Sequence, residues 1–373
     1  MPPVATPAPR AWSRRPSEVP SVPAGALEDH VAAIFEAAGS PPDEARTVAA
    51  HLVGANLRGH DSHGVIRVPG YVALAKDGVL RPGAPTTIAR ESGATALIDG
   101  GMNLGPVVAI RATEIAIAKA REAGVAFVSC FNTGHIGRVG AYGEQAVAAG
   151  LGAMGGVNSP GVRLTAAFGG GHRRTGTNPL MIALPSGDPA KPFVLDMATS
   201  VIAEGKLKVA VNRNTPVPPG DIIDGDGRPT TDARDFYGTG DNPKPGALLP
   251  VGGPVGGYKG FGLNLAIELL SGALSGSGTA VEGARGTNGV WLIAFDLGRF
   301  TEPEAWREMY EALAAHVTEP PYAPGHDEVL LAGEPERCRM AERLASGIPL
   351  DDETLRQLEE TAAGLGVPAM AAG

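Results

Sequence analysis

Cysteine and aromatic residues are scarce in this chain. Its 373 residues include two cysteines, Cys130 and Cys338, and aromatics make up only 5%. Two cysteines without a C-x-x-C spacing exclude a disulfide scaffold and a cysteine-based zinc site, and they suit a reducing, cytoplasmic setting. With so few large rings, the core must be built from Ala, Val, Leu and Ile. No run approaches the roughly 18 uninterrupted apolar residues of a membrane-spanning helix. An excess of positive charge is also missing. Lys and Arg number 31 against 40 Asp and Glu, a formal net charge of −9, which disfavours nucleic acid as a partner. What abounds is glycine, 53 residues, and proline, 33, without the Gly-X-Y period of collagen. Many tight turns follow from that. The length allows two or three domains with a sizeable core.

The first 25 residues are rich in Pro, Ala and Ser. Arg14 and Arg15 imitate a twin-arginine pair, but Pro16, Ser17 and Glu18 follow instead of an apolar run. The segment reads as a disordered extension. Apolar spacing predicts helices over 26–38, 40–58 and 65–76, the second capped by Ser40 with Pro41, Pro42, Asp43 and Glu44 at its positive end. Strand material lies around 94–98, a helix over 106–123, and a short buried strand over 125–131. A glycine-bearing loop, 132–137, leads into a helix ending near Ala149. Further strands are predicted at 152–157, 179–184, 193–196 and 290–295. The stretch 212–257 is dense in Gly, Pro and Asp and reads as a long excursion. Helices follow over 262–274, 304–315, 335–345 and 351–363. The alternation of helices and strands indicates an α/β or mixed α/β fold.

The run Gly150-Leu-Gly152-Ala-Met-Gly155 matches G-x-G-x-x-G, but its flanks have the wrong order, helix before and strand after, for a dinucleotide fingerprint. The densest chemistry is Gly59-His60-Asp61-Ser62-His63-Gly64, with Arg67 four residues beyond His63. Imidazoles titrate near neutral pH and move protons there, and an arginine one turn on can clamp a carboxylate with two parallel hydrogen bonds. The same residues also suit a plain capping turn, with Asp61 or Ser62 capping and the histidines solvated. His60, Asp61 and His63, with His135, give a third reading as metal ligands, although the spacing is not that of a helical H-E-x-x-H site. A second candidate is Asn132-Thr-Gly-His135-Ile-Gly137-Arg138-Val139-Gly140, which follows a buried strand and opens a helix. Amides at that helix start, with Arg138, can hold a phosphate, or the run is a glycine-rich turn with a surface histidine. Four further segments carry more polar and glycine residues than plain connections need: Gly176 to Pro179, Leu195 to Ser200, Gly257 to Gly262 with Tyr258 and Lys259, and Leu331 to Glu336.

The stretches ANLRGHDSHGVIRVPGYV, NTGHIGRVGAYGEQA, GTNPLMIALP, FVLDMATS, GRPTTD, GGYKGFGLNLAIELLSGALSG and LLAGEPE, taken in that order, resemble the malate/L-lactate dehydrogenase family. The HDSHG and GHIGR forms are most similar to hydroxycarboxylate dehydrogenases. The resemblance implies the sulfolactate dehydrogenase-like fold, in which 86–300 is a non-Rossmann NAD(P)-binding domain with a mixed sheet. It also implies a helical domain formed by the segments 26–85 and 301–373. It implies a reversible NAD(P)-dependent reaction between a 2-hydroxy acid and a 2-oxo acid, with NAD slightly preferred, in a homodimer whose active site lies between subunits. Residue by residue, it makes His63 or His135 the proton donor and acceptor, with His63 close to the nicotinamide. Ser62 is a supporting hydroxyl and Arg67 a carboxylate ligand. Gly137, Arg138, Val139, Val194, Leu195, Asp196, Met197, Ala198, Tyr258, Lys259, Gly333, Glu334, Pro335 and Glu336 match cofactor-contacting segments. Asn158, Ser159 and Arg163 lie where members vary with substrate, and Arg163 as a second anion ligand favours an acid larger than lactate. No metal is implied. Two other reactions stay open at this point: reduction of a cyclic imino acid by the same machinery, and metal-dependent hydrolysis through the histidine cluster.

Overall fold

The computed structural model of the chain describes residues 20–212, 214–283 and 286–370. Residues 1–19, including Arg14 and Arg15, lie outside them. In chain order the first part runs β1 (Ser21–Val22), α1 (Ala24–Ala37), α2 (Pro42–Leu57), α3 (Val68–Lys76), β2 (Thr87–Ser92), β3 (Thr95–Asn103), α4 (Gly105–Ala123) and β4 (Val125–Gly134). It continues with α5 (Gly140–Ala148), β5 (Gly152–Asn158), β6 (Thr165–Ala166), β7 (Arg173–Thr175), β8 (Leu180–Leu184), β9 (Phe193–Met197) and α6 (Glu204–Asn212). Next come β10 (Ile222–Ile223), β11 (Pro229–Thr230), β12 (Ala247–Leu248), α7 (Gly253–Glu268), β13 (Gly278–Thr279), β14 (Glu282–Gly283) and β15 (Thr287–Phe295). The chain closes with α8 (Pro303–Thr318), α9 (Glu334–Ser346), β16 (Ile348–Pro349) and α10 (Asp352–Gly364).

A mixed sheet of seven strands in the order β2-β3-β4-β15-β5-β8-β9 forms the centre. Only β3 and β4 run parallel; the other neighbours are antiparallel. Small side chains let α4 lie close on it. Ala109, Ala112, Ala116 and Ala120 are fully buried at helical spacing against Ala96, Ala126 and Ala294. The closest approach is at the first residue of α4. A Cβ on Gly105 would lie 2.3 Å from the carbonyl oxygens of Gly134 and His135. The end of β4, where His135 stands, therefore rests directly on the start of α4.

A second core gathers both ends of the chain: Leu27, Ile34 and Phe35 of α1, Val48 and Leu52 of α2, Tyr71 of α3, and Ile348, Leu358 and Ala362 near the C-terminus. β1 pairs with β16, so Ser21 and Val22, assigned to the disordered extension, are ordered. Ser40 does not cap α2. Pro41 occupies that position without a side-chain bond, because Pro42, Asp43 and Glu44 already open the helix. α8 is anchored by Trp306 Nε1 donating to the carbonyl of Pro185, beside the central sheet, and it buries none of its residues.

The excursion is ordered. β10, β11 and β12 join β6 and β7 in a five-stranded sheet, and Leu207, Val217, Ile222, Phe236 and Leu248 form its own small core. The glycine-rich run before residue 262 is helix, not loop: α7 starts at Gly253, with Pro254 in its first turn. Gly260 is there for close packing, since a Cβ would lie 2.3 Å from the carbonyl oxygen of Val251. The G-x-G-x-x-G run leads from α5 into β5, where Gly152 makes room for the ring of Phe295.

Replacing Gly105 with alanine should destabilise the protein by about 1–3 kcal/mol, the range for forcing atoms into a packed interior, because the two atoms in the way are backbone carbonyls that cannot rotate aside. A urea melt of Gly105→Ala checks this. An unchanged midpoint would mean that the contact between α4 and β4 is loose.

Candidate active site

The turn after α2 is built on one side chain. Asn56 Nδ2 donates to Asp61 Oδ1 at 2.7 Å, and Asn56 Oδ1 accepts from Val65 N at 2.8 Å. Gly64 lies flat on that amide; a Cβ there would come 2.1 Å from Asn56 Oδ1. Two short 3-10 turns result, Asp61–His63 and Val65–Arg67, where the sequence suggests a continuous helix from residue 65. Neither Asp61 nor Ser62 caps a helix. Asp61 is held by Arg343, and His60 Nε2 lies 3.3 Å from Glu336 Oε1.

This turn presents His63 to His135, which comes from the end of β4. Their rings stack at 5.6 Å between centroids. Each Nδ1 faces a hydroxyl: Ser62 Oγ lies 2.9 Å from that of His63, and Tyr71 Oη 2.6 Å from that of His135. In both rings Nε2 is the nitrogen left for a ligand. Burial, reinforced by the charge of Arg67, lowers the His63 pKa to about 3 and places that of His135 well below its usual value. Both imidazoles rest neutral at physiological pH. Arg67 Nε donates to the carbonyl of Ser62 at 2.6 Å, and its guanidinium forms no ion pair with a carboxylate among the described residues. An unpaired cation beside two neutral imidazoles can bind an anion and exchange a proton with it. Above Ser62 lies α6: a Cβ on Gly205 would be 3.1 Å from Ser62 Cβ, so the start of the helix that leads into the excursion reaches the site.

The second candidate segment is committed differently from the sequence expectation. Arg138 is 3% exposed, and its Nη2 lies 2.7 Å from Glu144 Oε1. The amide of Arg138 donates to His51 Nε2, and the amide of Gly140 to Asp196 Oδ2 at 2.7 Å. The protein's own carboxylate thus occupies the helix start at which a phosphate is expected. Burial alone would raise the Glu144 pKa, but Arg138 and Arg58 outweigh it and hold the carboxyl below its ordinary value.

These contacts bring three matched segments together. Gly137, Arg138 and Val139 meet β9 through Asp196. β9 carries Val194, Leu195, Asp196 and Met197 at the sheet edge, with Ala198 following, and Leu195 to Ala198 are half-exposed. Val194 N donates to the carbonyl of Ala332 at 3.1 Å, so Gly333, Glu334, Pro335 and Glu336 follow directly alongside. Tyr258 and Lys259 lie elsewhere, exposed in α7, with Tyr258 against Phe168. Phe168 and the start of α7 border a cleft of about 380 Å³.

The residues matched to substrate positions have partners within the fold. Asn158 is buried and donates to Glu268 Oε1 at 3.0 Å, and Ser159 Oγ accepts from Asn288 Nδ2. Arg163 donates to the carbonyls of Ala280 and Val281 at 2.8 and 3.2 Å. The metal donor set is not assembled: His60, Asp61, His63 and His135 each face a different partner. No group of three or more His, Cys, Asp or Glu suited to a metal occurs among the described residues.

Sequence reasoning missed Tyr71, His51, Glu144 and the buried network of Asn178, Asn264 and Glu268. Tyr71 had a signal, since it stands four residues after Arg67 on the same helical face. His51 had none. It looks like any polar residue of α2, yet it stacks on Tyr142 at 5.4 Å.

Comparison with known proteins agrees along the chain. The family profile for malate/L-lactate dehydrogenase matches residues 22–359. Hydroxycarboxylate dehydrogenase B of Escherichia coli K12 is 36% identical over 353 residues, 92% of this chain and 93% of that protein. Malate dehydrogenase of Pyrococcus horikoshii is 34% identical over 360 residues, 93% and 96% of the two. Among solved structures, sulfolactate dehydrogenase from Methanocaldococcus jannaschii superposes with a TM-score of 0.83 at 34% identity, covering 94% of this chain and 98% of that one. Δ1-Piperideine-2-carboxylate reductase from Pseudomonas syringae gives 0.77 at 27% identity, covering 92% and 100%.

The neutral imidazoles make stability depend on pH. The pKa of His51 is lowered to about 4, that of His63 to about 3, and that of His135 falls well below its usual value. An unfolded histidine titrates near 6.5, so as pH falls the unfolded chain takes up protons first. Stability is fully present above pH 6.5 and is lost progressively toward the folded values. The urea midpoint should therefore drop between pH 7 and pH 5, and drop less in His63→Asn. A flat profile over that interval would show that the imidazoles are not held neutral.

Proposed function

The chain belongs to the malate/L-lactate dehydrogenase family, and on that premise we propose that it interconverts a 2-hydroxy acid and its 2-oxo acid with NAD or NADP. The observation that carries the reading is Arg67, a guanidinium free of carboxylates, next to two imidazoles with open Nε2 atoms. A dinucleotide suits the surface formed by residues 137–140, 194–198 and 332–336. Gly333, with its left-handed backbone, lets that segment lie directly on the open edge of β9. When bound, the cofactor supplies the hydride to the substrate carbon or accepts it.

The rest falls to side chains. Arg67 binds the substrate carboxylate through its two Nη groups, which orients one carbonyl face; such positioning is worth up to ~7–11 kcal/mol of barrier. In reduction, His63 or His135 gives an Nε2 proton to the carbonyl oxygen as charge develops there. In oxidation, the neutral ring takes the hydroxyl proton. Resting neutral, the site is ready for oxidation. For reduction it must gain a proton, and the incoming carboxylate favours that by neutralising the field of Arg67. Ser62 and Tyr71 hold the two rings by Nδ1.

We extend the reading to a homodimer with the active site at the subunit interface. Val255, Tyr258 and Leu265 of α7, with Leu269 just beyond its end, are exposed, an apolar stripe of the kind that a partner covers. Free Cys130 and Cys338 support a reducing, cytoplasmic setting, and NAD is the carrier slightly favoured in this reading. A second reading, reduction of a cyclic imino acid, is favoured by the likeness to the piperideine-carboxylate reductase. It uses the same proton donor on a C=N bond.

Fluorescence titration with NADH and NADPH, then a panel of 2-oxo acids and cyclic imino acids, tests the proposal. Turnover should rise toward low pH in reduction and toward high pH in oxidation. Arg67→Ala should raise KM for the acid by about 10- to 100-fold, as loss of a charge-assisted pair implies, and leave cofactor affinity alone. The same pH trend in both directions would rule out a titrating imidazole, and no binding of either cofactor would end the reading.

A further inference from the structure

α9 touches two parts of the site that lie far apart in sequence. Its start is pinned to β9: the carbonyl of Ala332 accepts from Val194 N, and Arg337 Nη1 donates to the carbonyl of Pro192 at 2.8 Å. Its far end reaches the turn that carries His63. Arg343 Nη1 and Nη2 lie 2.6 and 3.0 Å from the two oxygens of Asp61, and Nη1 also donates to the carbonyl of Asn56. Between them, Glu336 faces His60, and the stem of Arg339 lies against Gly59. The helix has 13 residues, a rod of about 20 Å at 1.5 Å per residue.

We propose that Arg343 and Asp61 are positioning residues, through which α9 acts as a strut that sets His63 relative to β9. The proposal rests on the dehydrogenase reading, in which the β9 side holds the cofactor and the turn holds the proton donor. The geometry is more than that of an ordinary surface ion pair, which contributes little to stability. The contact is two-pronged, the Arg343 side chain is only 11% exposed, and the same guanidinium fixes a backbone carbonyl at the end of α2. Asp61 is in turn bonded to Asn56, whose amide also holds Val65. Arg343, Asp61 and Asn56 thus form a continuous chain from α9 to the backbone on either side of His63. Asp61 is half-exposed and adds little to the core, so the chain of bonds serves the shape of the turn. A shift of about 1 Å in a reacting group can cost roughly 10²-fold in rate, the scale on which such a strut matters.

The test uses the full-length protein with Arg343→Ala, Arg343→Lys, Asp61→Asn and the exchanged pair Asp61→Arg with Arg343→Asp. Amide hydrogen exchange of residues 59–66, measured without cofactor or substrate, should quicken at least tenfold in Arg343→Ala at temperatures well below its melting point. Arg343→Lys, which keeps charge but loses the fork, should fall between. In turnover, kcat should drop about 10- to 100-fold with KM for the acid and NADH or NADPH affinity nearly unchanged, and the exchanged pair should regain part of it. Unchanged exchange in the 59–66 segment, or a lower melting point with wild-type kcat, would overturn the strut. If the wild-type protein turns over no hydroxy or oxo acid, the dehydrogenase reading fails, and the exchange measurement still decides whether α9 holds the turn.

Discussion

The amide of Asn56 is the contact on which the site depends. It satisfies a carboxylate on one side and a backbone N–H on the other, and Gly64 lies against it with no room for a side chain. Unmet, the buried Asn56 amide and the buried N–H of Val65 would each cost on the order of 1–3 kcal/mol. Met, they force the chain through two tight turns in place of a helix, and the imidazole of His63 swings toward β4.

Electrostatics then gives the pair its character. Two imidazoles at stacking distance, with Arg67 close by, cannot both hold protons in a desolvated pocket. The charges that surround them are balanced elsewhere: Glu144 accepts both Arg58 and Arg138, and Asp196 takes the amide of Gly140. Of Arg58, Arg138 and Arg67, only Arg67 lacks a carboxylate partner among the described residues, an arrangement that suits an acidic ligand. On the proposed reading, an anion paired with Arg67 would offset the charge that, together with burial, keeps the rings neutral.

The scarcity of aromatic residues has its counterpart in the packing. Alanines of α4 and glycines such as Gly105 and Gly260 bring helices onto strands and backbone closer than larger side chains allow. That closeness supports the end of β4, and so His135, on the first turn of α4. It also explains why the glycine-rich run before residue 262 misleads as a loop. Glycine in a helix interior is costly by itself, and only the neighbouring backbone of Val251 shows why it is kept.

Much of the protein was legible in its residues. Apolar period predicted α2, α4, β4, β5 and α10 to within a few residues, since amphipathic burial alone imposes that spacing. The motifs around His63 and His135 marked the candidate site and pointed to the family. Local sequence also revealed that Gly150 to Gly155 has the wrong flanks for a dinucleotide fingerprint. It could not reveal that Tyr71 would hold His135, that Arg138 would turn to Glu144, or that Asp61 would find Arg343 across 282 positions. Those choices are made between distant segments, where burial removes water as an alternative partner and each charge takes whichever group the fold brings within reach. Sequence determined which residues carry chemistry; tertiary structure decided which of them stay free to use it.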